Sequence, residues 1–129
     1  MVYIVDTHSW IEYFIGSEQG SELNKFLEKG DSKFITMECC LSEIKSFCLK
    51  NNLDFNKSLD TIRENSFILP VLREHWLNAA AIRLEMRKKI KNFGLIDAIL
   101  VAKQQELKCK IISGDPHFKG MKNVVYIGA

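Results

Sequence analysis

Short apolar runs alternate with helical patterns along the whole chain, and this alternation restricts the fold more than any other feature of the sequence. Each run is continuously apolar and too short for a helix, which is typical of strands buried on both faces of a parallel sheet. Strands are predicted over residues 2–5, 33–36, 67–71, 109–113 and 124–127, and helices over 17–30, 37–50, 55–65, 74–91 and 95–107, with a further helix opening at Ser9. This order predicts a single α/β domain over residues 1–129, a three-layer α/β/α sandwich with a mostly parallel central sheet of four to five short strands.

The composition is that of an ordinary globular protein, with 47% hydrophobic and 26% charged residues. A net charge of +2 is too small to indicate nucleic-acid binding by itself, so any basic surface must be local. No apolar run approaches the ~20 residues of a membrane span. The N-terminus lacks the basic and apolar segments of a signal peptide. We therefore expect an intracellular, cytoplasmic protein with no membrane contact.

The four cysteines, Cys39, Cys40, Cys48 and Cys109, do not have the spacing of a zinc site. None forms a Cys-x-x-Cys pair, and no histidine follows at a zinc-finger spacing. Cys40 and Cys48 fall on an apolar helical stripe. We expect reduced thiols that are buried as small hydrophobic side chains.

One aspartate lies inside an otherwise apolar stretch, Gly94–Ala102, which opens a predicted helix that runs to Leu107. A helix that is apolar nearly all round belongs in the protein interior. The carboxylate of Asp97 would be costly to bury there unless it were paired, protonated or bound to a metal. The alternative is structural: Asp97 occupies the first turn, where the helix dipole favours a negative charge.

Two further aspartates follow the carboxyl ends of predicted strands, the edge at which open α/β sheets bind their ligands. Asp6 follows residues 2–5, and Asp115 follows residues 109–113. If these strands are neighbours, both carboxylates meet at one crevice, and the helix start that carries Asp97 faces it. Asp115 also precedes Pro116, and Asp-Pro is a common turn dipeptide, which is the structural alternative.

A fourth acid is supplied by the helix over 37–50, where Glu43 and Glu38 occupy opposite shoulders of the apolar stripe. Periodicity does not choose between them. Several carboxylates in one pocket repel each other, and a divalent cation relieves this repulsion better than protonation does. Oxygen ligands suit Mg²⁺ or Mn²⁺ rather than zinc.

Five basic residues, Arg83, Arg87, Lys88, Lys89 and Lys91, lie within nine positions just before the Asp97 stretch. Cations at a helix end complement its dipole, but that accounts for only one or two of them. Arg83, Arg87 and Lys91 are spaced i, i+4 and i+8, which predicts a face that binds nucleic-acid phosphates.

Three polar residues near Asp6 are predicted to lie outside the candidate site. Ser9 and Glu12 form a capping box that would open the first helix, so neither is assigned to the site. His8 lies in the same turn, and we expect it to be a solvent-facing loop residue.

Four motifs in this order resemble those of PIN-domain ribonucleases, and the size and layout resemble VapC-type toxins of toxin–antitoxin pairs. The resemblance covers essentially the whole chain and is carried by Ile4–Thr7, Leu41–Ile44, Leu95–Ala98 and Ser113–Phe118. It assigns the acidic quartet of the family to Asp6, Glu43, Asp97 and Asp115, and so selects Glu43 over Glu38. It also implies that Thr7 and Ser113 supply hydroxyls to the metal site. His8 departs from the family, in which many members carry Asn or Ser.

The resemblance implies a parallel sheet with the first strand central and a metal-dependent endoribonuclease that uses Mg²⁺ or Mn²⁺. Water would attack the phosphorus in line and leave a 5′-phosphate and a 3′-hydroxyl. Asp6, Asp97 and Asp115 would hold the metal, while Glu43 would orient the water or support a second ion. A homodimer and a small antitoxin that plugs the acidic pocket are also implied.

Several alternatives were weighed against this interpretation. A haloacid-dehalogenase-like phosphatase needs a second Asp two residues after the first, where this chain has His8. A receiver-like signalling domain normally pairs two acids at the end of the first strand, where this chain has one. A non-catalytic PIN-fold module that binds RNA or protein would lack acids of the quartet. A stand-alone RNA-processing nuclease would share the chemistry but have no antitoxin.

Overall fold

Five parallel strands form one sheet at the centre of the computed structural model, which describes all residues from Met1 to Ala129. The strands are β1 Val2–Val5, β2 Lys33–Met37, β3 Phe67–Leu69, β4 Lys110–Ser113 and β5 Val124–Tyr126. Their order is β3–β2–β1–β4–β5, and every neighbouring pair is parallel. The predicted parallel sheet with the first strand central is therefore confirmed.

Six α-helices flank the sheet and connect its strands. They are α1 Thr7–Ile15, α2 Glu18–Lys29, α3 Cys39–Lys50, α4 Phe55–Asn65, α5 Arg73–Arg87 and α6 Leu95–Leu107, with a short 3₁₀ helix at Pro116–Phe118. α1 packs against α2 and α3, whereas α5 packs against α6. The predicted α/β sandwich is confirmed, and α6 has the predicted bounds. No helix is both long and apolar enough to cross a membrane.

The two central strands, β1 and β4, are the most deeply buried part of the sheet. Ile4 and Val5 of β1 and Ile112 of β4 have no exposed surface. Trp10 on α1 is also fully buried, and its indole Nε1 donates a hydrogen bond to Thr36 Oγ1 at 2.9 Å. This packing fixes the carboxyl ends of β1 and β4, from which the chain emerges into the candidate site.

Some predicted element boundaries differ from the structure for local reasons. Helix α3 begins at Cys39, because Met37 still pairs with Leu69 in the sheet. Strand β3 ends at Leu69, just before Pro70, and it is an edge strand as the proline predicted. The four cysteines are all free thiols, and only Cys39 is not fully buried.

The prediction for the longest helix is wrong at its C-terminal end. Helix α5 ends at Arg87 rather than at residue 91. Asn92 then takes a left-handed conformation with φ of 64°, which begins the turn into α6. Lys91 therefore lies in a turn, and the i, i+8 helical spacing from Arg83 does not exist in the structure.

The apolar spacing over residues 74–91 predicts core contacts for Leu77, Ala80, Ala81, Leu84 and Ile90, and this prediction is wrong for all but the last. His75 and Ala79 are buried against the rest of the protein, and Ile82 and Met86 are partly buried. Leu77 and Leu84 are instead 67% and 66% exposed. Two of the other predicted contacts, Ala80 and Ala81, are exposed as well, and only Ile90 packs against the core. Because apolar residues occupy more than one side of this helix, their spacing alone could not identify the side that meets α6.

Candidate active site

The four predicted acids line one cavity of about 380 Å³ at the carboxyl ends of β1 and β4. These strands are direct neighbours, with Val5 paired to Ile112. Asp6 follows β1, Asp115 follows β4 by two residues, and Asp97 lies in the first turn of α6. Glu43 reaches the same cavity from α3. The sheet topology thus brings together carboxylates that are up to 109 positions apart in the sequence.

Asp6 is the most buried of these acids, with 3% of its surface exposed. It is the N-cap of α1, where its Oδ1 accepts a hydrogen bond from the Ser9 backbone N–H at 2.8 Å, and Ser113 Oγ donates to its Oδ2. Burial raises the pKa of Asp6 to about 6, although the hydrogen bonds from Ser113 and Ser9 oppose this shift. The charge of His8 also opposes the shift, but it is the smallest of these contributions, so burial dominates.

The capping box predicted at Ser9 is wrong, because Asp6 occupies the cap position three residues earlier. Ser9 instead lies inside α1, where its Oγ donates to the Ile112 carbonyl at 3.0 Å. This bond ties the start of α1 to β4. Ser9 therefore helps to hold Asp6 in place through its backbone and its side chain.

Asp97 is half-buried at the third position of α6. Its Oδ2 accepts a long hydrogen bond of 3.4 Å from the Gly94 backbone N–H, so the structural interpretation of a first-turn acid also applies. Burial is the main cause that raises the pKa of Asp97, and the charge of Asp115 raises it further. A contact with His117 opposes the rise. Like Asp6, Asp97 is a carboxylate whose ionised form is not fully compensated.

Asp115 is held by the turn that it opens. It is the N-cap of the short 3₁₀ helix, and its Oδ1 accepts a hydrogen bond from the His117 backbone N–H at 2.9 Å. Its own backbone N–H donates to Ser113 Oγ at 3.0 Å. Since the Ser113 hydroxyl also donates to Asp6, one buried serine links two of the acids.

The structure distinguishes the two glutamates that periodicity left open. Glu43 lines the cavity, and its Oε1 accepts a hydrogen bond of 2.6 Å from Thr7 Oγ1. Glu38 instead accepts from the Val71 backbone N–H at 3.1 Å, so it connects α3 to the segment after β3. Only Glu43 is positioned to act together with the aspartates.

Two histidines of the cavity were not assigned to the site from the sequence. His8 was expected in a solvent-facing loop, but it lies in α1 and lines the cavity, with Nε2 2.9 Å from Gln19 Oε1. His117 Nδ1 is 3.4 Å from Asp97 Oδ2 and 3.9 Å from Asp115 Oδ1. Its position two residues after Asp115, in the same turn, was the signal that could have identified it.

The predicted RNA-binding residues do not line the cavity. Arg87 has a structural contact, because its Nε donates to the Phe93 carbonyl at 2.8 Å and so fixes the turn before α6. Lys91 is exposed and directly precedes Asn92, which does line the cavity. Lys91 is therefore the nearest of the three in sequence to the acids, and its contact with RNA stays a prediction.

The donor set fits a divalent cation. One ligand atom from each of Asp97, Asp115 and His117 can be chosen so that all three lie within 4.8 Å of one another. The raised pKa values of Asp6 and Asp97 indicate negative charge that a cation would stabilise. Carboxylate oxygens in a solvent-accessible cavity are ligands for Mg²⁺ or Mn²⁺, and each of these ions lowers the pKa of water and neutralises phosphate charge.

Comparison with known proteins gives one family and several similar folds. The profile of the PIN domain family matches residues 3–124. No protein of curated function matches the sequence.

Three solved structures with similar folds share little sequence identity with this chain. A toxin–antitoxin complex from Klebsiella pneumoniae has a TM-score of 0.75 at 19% identity, covering 97% of this chain and 97% of that chain. VapBC2 from Rickettsia felis, bound to a DNA fragment from its promoter, has a TM-score of 0.71 at 14% identity, covering 98% of this chain and 97% of that chain. The sarcin–ricin loop cleaving toxin VapC20 from Mycobacterium tuberculosis has a TM-score of 0.69 at 15% identity, covering 92% of this chain and 91% of that chain.

Proposed function

This chain belongs to the PIN domain family, and from that premise we propose that residues 1–129 form a single metal-dependent endoribonuclease domain that hydrolyses RNA phosphodiester bonds. The observation that carries the proposal is the convergence of Asp6, Glu43, Asp97 and Asp115 on one cavity at the carboxyl ends of the central strands. A purely structural role would not require four acids from four separate parts of the chain to meet at a solvent-accessible edge.

In this proposal Asp6, Asp97 and Asp115 hold the divalent cation, Mg²⁺ or Mn²⁺. Bound there, the ion would neutralise charge on the phosphate and lower the pKa of a water. Asp6 cannot turn away, because hydrogen bonds from Ser9 and Ser113 fix both of its oxygens. The hydroxyl of Ser113 also accepts a hydrogen bond from the Asp115 backbone N–H, so one serine contacts both residues.

Glu43 has a different role in the proposal, since its carboxylate is not in the group formed by Asp97 and Asp115. The Thr7 hydroxyl occupies one oxygen of Glu43 and leaves the other free to accept a proton or a hydrogen bond from the attacking water. Glu43 is exposed, so it can approach a bound RNA strand. We assign it to orient the water or to support a second ion.

A toxin role is the biological setting that we propose for this nuclease. Two of the proteins with similar folds are described as toxin–antitoxin or VapBC complexes, and a third is described as a sarcin–ricin loop cleaving toxin. By analogy, this chain would act as a homodimer and be inhibited by a small antitoxin that fills the acidic cavity. A stand-alone RNA-processing role has the same chemistry but predicts no such inhibitor.

Cleavage of a mixed pool of transfer, ribosomal and messenger RNAs tests the enzymatic part of the proposal. Purified protein is incubated with Mg²⁺, with Mn²⁺ or with EDTA, and the ends of the products are mapped. We expect cleavage only with metal, with restoration when excess Mg²⁺ or Mn²⁺ is added back after EDTA. Cleavage that persists in EDTA would contradict metal dependence, and binding of RNA without cleavage would favour the non-catalytic module.

The RNA-binding prediction is tested at Lys91, which is exposed and has no structural contact comparable to that of Arg87. Removal of one phosphate contact to single-stranded RNA is expected to lower the slope of log binding constant against log salt concentration by about 0.7. We expect this change for Lys91→Ala, measured by fluorescence anisotropy with a labelled RNA. Lys110→Ala is the matched control, because Lys110 is exposed at the amino end of β4, away from the cavity. Equal effects of both variants would contradict a local binding face.

A further inference from the structure

His117 and His8 are the two histidines of the cavity, and only His117 lies in a group with Asp97 and Asp115 that could hold a metal ion. We propose that His117 binds the catalytic cation directly through Nδ1 and thereby gives the site a preference for Mn²⁺ over Mg²⁺. The inference rests on the proposed metal-dependent function and specifies which ion serves it. It is carried by the position of the imidazole relative to Asp97 and Asp115.

The distances around His117 Nδ1 are compatible with those of atoms that share an ion. Nδ1 makes a long hydrogen bond of 3.4 Å with Asp97 Oδ2 and lies 3.9 Å from Asp115 Oδ1. Donor atoms that each lie about 2.1 Å from one ion are separated by roughly 3 to 4 Å. A cation bound by both carboxylates is therefore within reach of Nδ1 after only small adjustments.

The imidazole is held in this orientation from two sides. The His117 backbone N–H donates to Asp115 Oδ1 at 2.9 Å, so the residue belongs to the same capped turn as its neighbouring ligand. The ring of Phe93 lies 6.1 Å from the His117 ring and 5.7 Å from that of Phe118, and both phenylalanines are fully buried. This packing positions the histidine before any ion is bound, which is the condition for tight ligation.

The other two histidines lack this combination of features. His75 also approaches an acid, with Nε2 3.3 Å from Glu106 Oε1, but its Nδ1 accepts the Leu72 backbone N–H at 3.0 Å. Its Nε2 must then carry the proton, so neither nitrogen has a lone pair available for a metal. His8 Nε2 is engaged by Gln19 at 2.9 Å and does not lie in a group of carboxylate ligands.

An imidazole ligand changes the choice of ion. Mg²⁺ prefers oxygen donors in a strict octahedron. Imidazole nitrogen is instead a ligand for transition metals, of which Mn²⁺ is the first in the order of increasing affinity for such sites. A site of two carboxylates alone would differ little between the two ions. With His117 as a third ligand, we expect Mn²⁺ to bind more tightly than Mg²⁺.

Pulsed electron paramagnetic resonance of the Mn²⁺-loaded protein tests direct ligation. We expect the ¹⁴N coupling of a coordinated imidazole in the wild type and in His8→Asn, and its loss in His117→Asn. Binding titrations should show the dissociation constant for Mn²⁺ rising by about tenfold or more in His117→Asn. The constant for Mg²⁺ should change much less, and His8→Asn should leave both constants close to those of the wild type.

The outcomes separate this inference from the proposed function. Mn²⁺ that binds without ¹⁴N coupling, or with coupling that persists in His117→Asn, would overturn ligation by His117 and leave the ribonuclease proposal standing. Failure of the wild type to bind either Mn²⁺ or Mg²⁺ would overturn both. A loss of coupling in His117→Asn is interpretable only if that variant still binds Mn²⁺, which the titration establishes on the same sample.

Discussion

Replacing Asp97 with asparagine is expected to abolish RNA cleavage while leaving the protein folded. Charge stabilisation by a bound divalent cation contributes several kcal/mol to such reactions. Because each 1.4 kcal/mol is about a factor of ten in rate, loss of this ligand should slow cleavage by at least about a thousandfold. The side chain of Asp97 has long hydrogen bonds of 3.4 Å with the Gly94 backbone N–H and with His117 Nδ1, both of which an asparagine oxygen can also accept. Single-turnover rates measure the loss of cleavage, and a thermal unfolding curve of the same preparation shows whether the variant is folded.

Glu38→Gln is the matched control for this experiment. Glu38 is an acid on α3 with a hydrogen bond to the Val71 backbone, which glutamine can keep, and it does not line the cavity. Its variant should cleave RNA at the wild-type rate. Cleavage by Asp97→Asn at that same rate would point to a contaminating nuclease and remove the support for the enzyme. A variant that is inactive because it has unfolded would be recognised by its lost thermal transition.

The sheet could be predicted from the sequence because its strands are buried on both faces. Continuous apolar runs have few other structural solutions, so β1 and β4 were located within a residue of their ends. Their adjacency did not follow from the runs, because it was only a condition of the argument about Asp6 and Asp115, and it is the structure that pairs β1 with β4. The same reasoning failed for α5, whose apolar residues surround the helix and which packs mainly against α6. Which side of such a helix is buried depends on tertiary contacts, and the local spacing of apolar residues carries no information about them.

The candidate site was only partly predictable for a related reason. Carboxylates at strand ends are visible because topology fixes where strand ends meet. The choice of Glu43 over Glu38, by contrast, depends on which shoulder of α3 faces β1, and only the family resemblance made that choice. His117 was missed because its role depends on the packing of Phe93 and Phe118 around the turn. Arg87, assigned to RNA, has a backbone contact that no spacing rule would reveal.

Asp6→Asn is expected to make the metal-free protein more stable at neutral pH. Burial raises the pKa of Asp6 to about 6 from 3.8, so the folded state favours the protonated carboxyl. The stability that this group provides is fully present below about pH 4 and is lost as the pH rises through 6. A shift of this size corresponds to at most about 3 kcal/mol in the free energy of unfolding. Asparagine carries no charge at any of these pH values and can still cap α1 through its oxygen.

Urea unfolding of the wild type and Asp6→Asn in EDTA, from pH 4 to pH 8, measures this difference. The two free energies of unfolding should differ least at pH 4, diverge as the pH rises from 4 to about 6 and stay apart above that, with the variant the more stable. Asp54→Asn is the matched control, since Asp54 also caps a helix, α4, but is exposed. The effect of Asp54→Asn on the free energy of unfolding should not depend on pH in the same way.

Excess Mn²⁺ at pH 7 should make the wild type more stable than Asp6→Asn, because a cation stabilises the wild-type carboxylate and has one ligand fewer in the variant. A wild type more stable than Asp6→Asn at pH 8 in EDTA would mean that the buried carboxylate is already compensated, and the main electrostatic reason for a cation at this site would be lost.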